Sequence, residues 1–173
     1  MRRLPPLVSW AALLLAVISL GLMAGFFGTY SANVNLAMLS LDGPTYAQVQ
    51  SAFNRNVRHA LFFVCFFGPP LWCALALASA WQPRAGWWWL LAAVAVGYAL
   101  GIVAFTRQVN LPLNHLTESW TPATLPADWA VTRDAWNRAN LWRAGWSLAL
   151  FVAGLLALLW RAAGGPRQSP HAP

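Results

Sequence analysis

Lysine is absent from this sequence, acids number only four, and charged residues of every kind make up 9% of its 173 residues. A soluble domain carries about a quarter of its residues as charges, so a water-exposed globule is excluded. The two cysteines, Cys65 and Cys73, lie two turns apart on one helical run, roughly 12 Å along its axis. That separation excludes a disulfide between them and leaves them as apolar fillers. A formal charge of +7 comes from arginine alone. With no continuous basic run, nucleic-acid binding is excluded, and the arginines instead sit beside apolar runs where they anchor to lipid headgroups. The sequence also lacks a phosphate loop, a dinucleotide fingerprint, any haem or iron–sulfur pattern and any H-x3-H or H-E-x2-H spacing. No metal ligand set and no bound cofactor are expected.

What is present is apolar: 59% of the chain. Four stretches, about 7–27, 60–80, 86–105 and 144–160, carry no charge. Each is long enough, at about 1.5 Å per residue, to cross or nearly cross a hydrocarbon core of roughly 30 Å. All charged side chains fall outside them, as expected if each costs about 2.5–3.5 kcal/mol at mid-membrane. The expected fold is all-α, a four-helix transmembrane bundle forming one integral membrane domain over residues 1–163, with a flexible tail over 164–173. The first apolar run is too long for a secretory signal, and Tyr30 spoils a small-x-small cleavage site at Ala32, so it reads as an uncleaved span. Four spans put both termini on one side and loops 1–2 and 3–4 on the other. Three of the arginines opposite the termini belong to a polar constellation rather than to the surface, which gives the expectation of a multi-pass cell-membrane (inner, cytoplasmic membrane) protein with cytoplasmic termini.

The 1–2 loop turns at Asp42-Gly43-Pro44 and then shows Tyr46, Val49, Phe53 and Val57 at helical spacing, an amphipathic helix leading into span two. Pro112, Pro122 and Pro126 read as breakers in the 3–4 loop, with Asp128 as N-cap of the last helix. If that helix runs unbroken over 129–160 it measures about 48 Å, so some 18 Å of it projects or tilts. Gly68-Pro69-Pro70 is expected to kink span two. Gly21-x3-Gly25 and Gly97-x3-Gly101 read as close-packing positions inside the bundle.

Polar residues gather at the loop side. Asn33 and Asn35 follow span one, Asn54 and Arg58 precede span two, and Thr106 and Asn110 end span three. In the last helix, Trp136, Asn140, Arg143 and Ser147 share one face. Amides and a guanidinium at a membrane boundary must bond each other or a ligand, although any one asparagine can also be explained as a helix cap. Arg143 shares its face with Trp136 and Asn140 rather than with the lipid-like Trp142 and Trp146, and an inward arginine suits an anionic oxygen such as a phenolate or enolate. His59 and His115 lie on the same side, where a base near neutral pH would be useful.

The run Gly21-Leu-Met-Ala-Gly25-Phe-Phe, the Asn54 region, Asn110-x-Pro-Leu-Asn114 and Trp136-x3-Asn140-x2-Arg143 together resemble the anthrone-oxygenase-like family of small four-span membrane proteins. The resemblance covers residues 20–60 and 105–150. One departure is Asn33-Val-Asn35-Leu36, where many members carry a proline. The resemblance implies oxidation of a polycyclic anthrone to an anthraquinone by dioxygen without a bound cofactor. It also implies roles for Arg143, Asn110 and Asn140 in stabilising an oxyanion, with His115 or His59 the nearest available base although the family motif designates neither histidine. Asn33, Asn54, Arg58, Asn114 and Trp136 are then candidates for binding the substrate. Membrane lipid, an apolar aromatic small molecule and dioxygen are the expected partners. The alternative is a non-catalytic accessory or small-molecule-binding protein whose amides and Arg143 lock the loops together. A transporter is disfavoured, because no span carries a charge and no inverted repeat is visible.

Overall fold

The structure is a computed structural model that describes residues 5–164, and among these it contains five helices and no strand. Four are long and apolar enough to cross a membrane: α1 (Pro6–Met38), α3 (Ala60–Ser79), α4 (Gly86–Glu118) and α5 (Trp129–Ala163). A shorter helix, α2 (Gly43–Asn56), joins α1 to α3. The chain is an all-α, multi-pass membrane protein. The expected tail, from residue 165 onward, lies outside the described residues, as do residues 1–4 with their two arginines.

The bundle closes as a ring in which α1 packs against α3 and α5, and α4 packs against the same two helices. Lipid removes the hydrophobic force that would hold helices together in water, so close approach has to replace it. Glycines supply the approach. Gly21 lies against the Phe151 ring, Gly154 against Leu20, and Gly97 against Leu150. At Gly101 the Trp146 indole occupies the space a side chain would need, and its Nε1 donates to the Gly97 carbonyl at 2.9 Å. Trp146 therefore belongs to the α4–α5 seam as well as to the lipid face it was expected to hold. Gly25, by contrast, meets nothing. The outer surface is apolar, with Ile18, Leu22, Val64, Leu71, Leu100, Leu148 and Leu156 exposed to where acyl chains lie.

At the end carrying the termini, Arg161 ties three helices. Its Nη1 donates to the Ser9 carbonyl at 3.0 Å, its Nη2 to the Ser9 hydroxyl, and its guanidinium lies over the rings of Trp10 (4.1 Å) and Trp87 (4.8 Å).

Two expectations need correction. First, Pro112 does not break the third span, which continues past it to Glu118. The reason is upstream: α4 widens into π-helical turns over Ala99–Ala104 and Thr106–Asn110. In a regular α-turn the proline ring meets the carbonyl four residues back, and a wider turn leaves it room. Pro69 and Pro70, where a kink was expected, lie inside the continuous helix α3. Second, α2 forms, capped by Asp42 accepting the Thr45 N–H at 2.8 Å, but buries a face other than the apolar one. Its buried residues are Gly43, Tyr46, Ala47, Gln50, Ser51 and Asn54, while Phe53 is exposed. The helix turns amides inward because what it covers is polar.

Asp128 holds the N-cap position of α5 without using its side chain. From there α5 runs unbroken for 35 residues.

Candidate functional site

The end of the bundle opposite the termini is roofed by α2. Ser51 donates to the Thr117 carbonyl of α4 at 3.2 Å, Arg58 pairs bidentately with Glu118, and Tyr46 packs on Trp129 at 5.4 Å. Gly43 lies against Leu125 and the same tryptophan. Loops 1–2 and 3–4 thus fold over one end. Burial raises the Tyr46 phenol pKa above its ordinary value, whereas the Thr45 N–H holds the exposed Asp42 carboxyl below its ordinary value.

Beneath this roof, α5 presents Trp136, Asn140, Arg143 and Ser147, all buried. A face repeating every 3.6 residues brings these four into line. Arg143 is turned inward and only 7% exposed. Its Nη2 donates to Asn140 Oδ1 at 2.7 Å, its Nη1 makes a long contact with Thr106 Oγ1 at 3.4 Å, and its Nε has no partner. The guanidinium lies over Phe27 at 4.5 Å and faces Trp136 at 5.7 Å. No carboxylate pairs with it among the described residues.

Asn140 is fully committed: its amide donates to Ser31 Oγ at 2.8 Å and to the Phe27 carbonyl at 3.4 Å, and its oxygen holds Arg143. It orients the arginine. Trp136 Nε1 donates to Asn114 Oδ1 at 2.6 Å, so those two candidates are committed to each other. Asn110 differs. It is wholly buried and neither atom of its carboxamide has a partner. It lies one turn from Thr106 and one turn from Asn114, which bond Arg143 and Trp136. An unpaired buried amide costs about 1–3 kcal/mol, and here both ends are unpaired.

The remaining candidates divide. Asn54 lies inside, its oxygen accepting from Gln50 at 2.9 Å and its Nδ2 unpaired. Arg58 is at the rim, used by Glu118. Asn33 is exposed, whereas Asn35 is buried with an unpaired oxygen. His115 is exposed, and His59 is exposed too, its Nδ1 accepting the Phe62 N–H as the cap of α3. Neither histidine belongs to the cluster. Among the described residues no three His, Cys, Asp or Glu side chains gather as a metal would require.

Several members of the cluster were not marked out by the sequence. Tyr30 packs against Trp136 at 5.1 Å and donates to Gln50 at 3.3 Å, extending a chain from α1 through α2 to Asn54. Tyr98 is wholly buried with an unpaired hydroxyl, as is Ser147 of the stripe already read from the sequence. The signal for Tyr98 is a four-residue step: Tyr98, Ile102, Thr106, Asn110, Asn114. In a straight α-helix such steps drift by about 40° each and end on the far side. The π-turns hold more residues each and bring the series onto one face. The same widening over Tyr30–Val34 carries Asn35 inward in place of Asn33.

A groove of about 580 Å³ runs between α1 and α5 on the lipid-facing side, lined by Gly21, Gly25, Gly28 and Gly145 among others and reaching Ser31. Its lining includes neither Arg143 nor Asn110, and Asn140 stands between, bonded to both Ser31 and Arg143.

No curated protein and no solved structure matches this chain. A family profile described as anthrone oxygenase does match, over residues 62–153, more than half of the chain. The matched span takes in the hairpin of α3 and α4, which the resemblance read from the sequence had left out, and stops short of α1 and α2. It contains both Asn110-x-Pro-Leu-Asn114 and Trp136-x3-Asn140-x2-Arg143, the segments that meet at the roofed end of the bundle, and on this match the chain belongs to the anthrone oxygenase family.

Proposed function

We propose that the roofed cluster binds an apolar, oxygen-bearing aromatic molecule and oxidises it with dioxygen, as a cofactor-independent oxygenase of anthrone-like substrates. The observation that carries this reading is a buried guanidinium without a carboxylate partner, touching Thr106 one turn along α4 from a carboxamide with both ends free. Such a pair suits the oxyanion of an ionised anthrone. Arg143 and Asn110 would touch that oxygen, Asn140 would orient Arg143, and Trp136, Tyr30 and Phe27 would wall the ring system. The reaction converts a methylene and dioxygen into a carbonyl and water. Ionising the methylene gives an enolate electron-rich enough to reduce dioxygen, and combination of the two yields a peroxide that loses water. With both histidines outside the cluster, the Arg143 field makes the methylene acidic enough to give its proton to water at the roofed mouth, which takes the part assigned to His115. An apolar substrate partitions into lipid, and the α1–α5 groove leads from there to Ser31 and Asn140. The domain, residues 1–163, is read as lying in the cell membrane with cytoplasmic termini, since Arg58 and Arg133 are paired with acids and Arg143 is buried on the opposite side.

The test is dioxygen uptake and quinone formation by the purified protein supplied with an anthrone. An acceleration lost by at least tenfold in Arg143→Ala supports the reading, and equal rates in the two proteins contradict it. A non-catalytic binder is the second reading, favoured by the mutual bonds of Trp136 with Asn114 and of Asn140 with Ser31. It predicts binding of an anthrone without uptake of oxygen.

A further inference from the structure

Below the Arg143–Asn110 pair, toward the middle of the membrane, three more polar groups are buried and uncommitted. They are the Tyr98 hydroxyl on α4, the Ser147 hydroxyl on α5 and the Nε of Arg143 itself. Tyr98 and Ser147 are both wholly buried. Ser147 lies one turn from Arg143 on the same face of α5. Tyr98 lies two turns from Thr106, the residue Arg143 touches, on the line that the π-turns straighten, and it is within coulombic reach of the guanidinium. All three groups carry a proton to donate, and none has a hydrogen-bond partner. Lipid surrounds this level, so water does not serve them freely. Donors left over in an apolar setting fit a small, electron-rich oxygen species.

We propose that these deeper donors serve the oxygen being reduced, and that Tyr98 is the proton donor to the outer oxygen of the substrate peroxide. The inference rests on the oxygenase reading above. Dioxygen concentrates in apolar surroundings, and the three donors lie on the mid-membrane side of Arg143. The enolate carbon and dioxygen form a C–O bond, leaving a peroxide anion whose charge faces Arg143 Nε and Ser147. The Tyr98 O–H then protonates the outer oxygen, giving a hydroperoxide and a tyrosinate held by the nearby guanidinium. The tyrosinate next removes the remaining hydrogen from the same carbon. The C–H electron pair becomes the second bond of the carbonyl, the O–O bond breaks, and hydroxide departs. Hydroxide is neutralised by the proton that the methylene gave up to water at the roofed mouth when it ionised, so one dioxygen gives one carbonyl and one water, and Tyr98 ends as it began.

The experiment follows oxygen uptake and quinone release together in wild-type protein, Tyr98→Phe and Ser147→Ala, each supplied with an anthrone. Wild type is expected to take up one dioxygen per quinone. In Tyr98→Phe, which keeps the ring and its packing, uptake continues within a fewfold while quinone release falls about a hundredfold. The difference accumulates as a substrate hydroperoxide. Ser147→Ala shows the same split more weakly and provides the reading should Tyr98→Phe fail to fold. The proposal is overturned if uptake and quinone release fall in step in these variants, or if neither changes. If wild type itself takes up no more oxygen than Arg143→Ala, the oxygenase reading fails and this one with it, an outcome distinct from a change that leaves the two rates coupled.

Discussion

Helix α5 turns one arginine into the bundle beneath the roof and another onto it at the terminal end, and the two are served differently. Arg161 is only partly buried; both its Nη atoms donate to Ser9 and the indoles of Trp10 and Trp87 lie against its face. Arg143 is buried, with one good bond, to Asn140, one long contact, to Thr106, the rings of Phe27 and Trp136 against its face, and a sealed-in Nε with no partner. Its surroundings repeat the difference: Asn110, Ser147 and Tyr98 are equally buried and equally uncommitted. The two guanidiniums have like numbers of bonds and aromatic faces, so what separates them is burial: what Arg161 lacks water can supply, and what Arg143 lacks is sealed in. Buried polar groups left short in a native protein call for an explanation, and a ligand is one.

The comparison can be broken at several points. The largest effect is expected from Arg161→Met, which keeps much of the stem but removes two charge-assisted bonds and two cation–π contacts, lowering stability by about 2–3 kcal/mol. Thermal denaturation in detergent reads it, and turnover per folded molecule should not move. A neutral result would mean that Arg161 is no clamp. Gly101→Ala comes next: a methyl there runs into the Trp146 indole, so the bond to the Gly97 carbonyl is lost at about 1–3 kcal/mol. Tryptophan fluorescence should shift as Trp146 is displaced. At the other end the sign reverses. Asn110→Leu removes a carboxamide that has no partners and is expected to raise thermal stability by about 1 kcal/mol while lowering turnover. A destabilised Asn110→Leu would show that Asn110 is structural.

The smallest effect belongs to the roof. Asp42 caps α2, and its carboxyl is held below the ordinary value by the Thr45 N–H. Its contribution is complete above the unfolded-state pKa, about 3.9, and disappears as pH falls through the lower folded-state value. Hydrogen exchange in α2 should rise over that acid window in the wild type and show no such step in Asp42→Ala.

The spans were plain in the sequence because charge is nearly absent from them, and so was the inward face of α5, because Trp136, Asn140, Arg143 and Ser147 keep a regular helical step. The rest was hidden for two physical reasons. Apolar periodicity assumes that the buried face is the apolar one, which α2 contradicts by turning Gln50 and Asn54 toward a polar interior. Regular periodicity also assumes α-turns. The π-turns in α1 and α4 carry Asn35 inward instead of Asn33, take the third span through Pro112, and align Tyr98 with Asn110. His115 suits a base by its chemistry alone, but it is exposed on α4, outside the buried cluster.

The central claim is that Arg143 is held in the bundle for an anion that arrives with a ligand. Its most direct measurement is the thermal stability of wild type and Arg143→Met titrated with a hydroxyanthraquinone across the ionisation of the ligand's phenol. The account predicts that the empty Arg143→Met protein is as stable as wild type or more so. It further predicts that the ligand stabilises wild type increasingly as the phenol ionises, by about 2.7 kcal/mol at a hundred times its dissociation constant, and leaves Arg143→Met unmoved. Equal ligand-induced shifts in the two proteins, or a collapse of Arg143→Met without ligand, would contradict it.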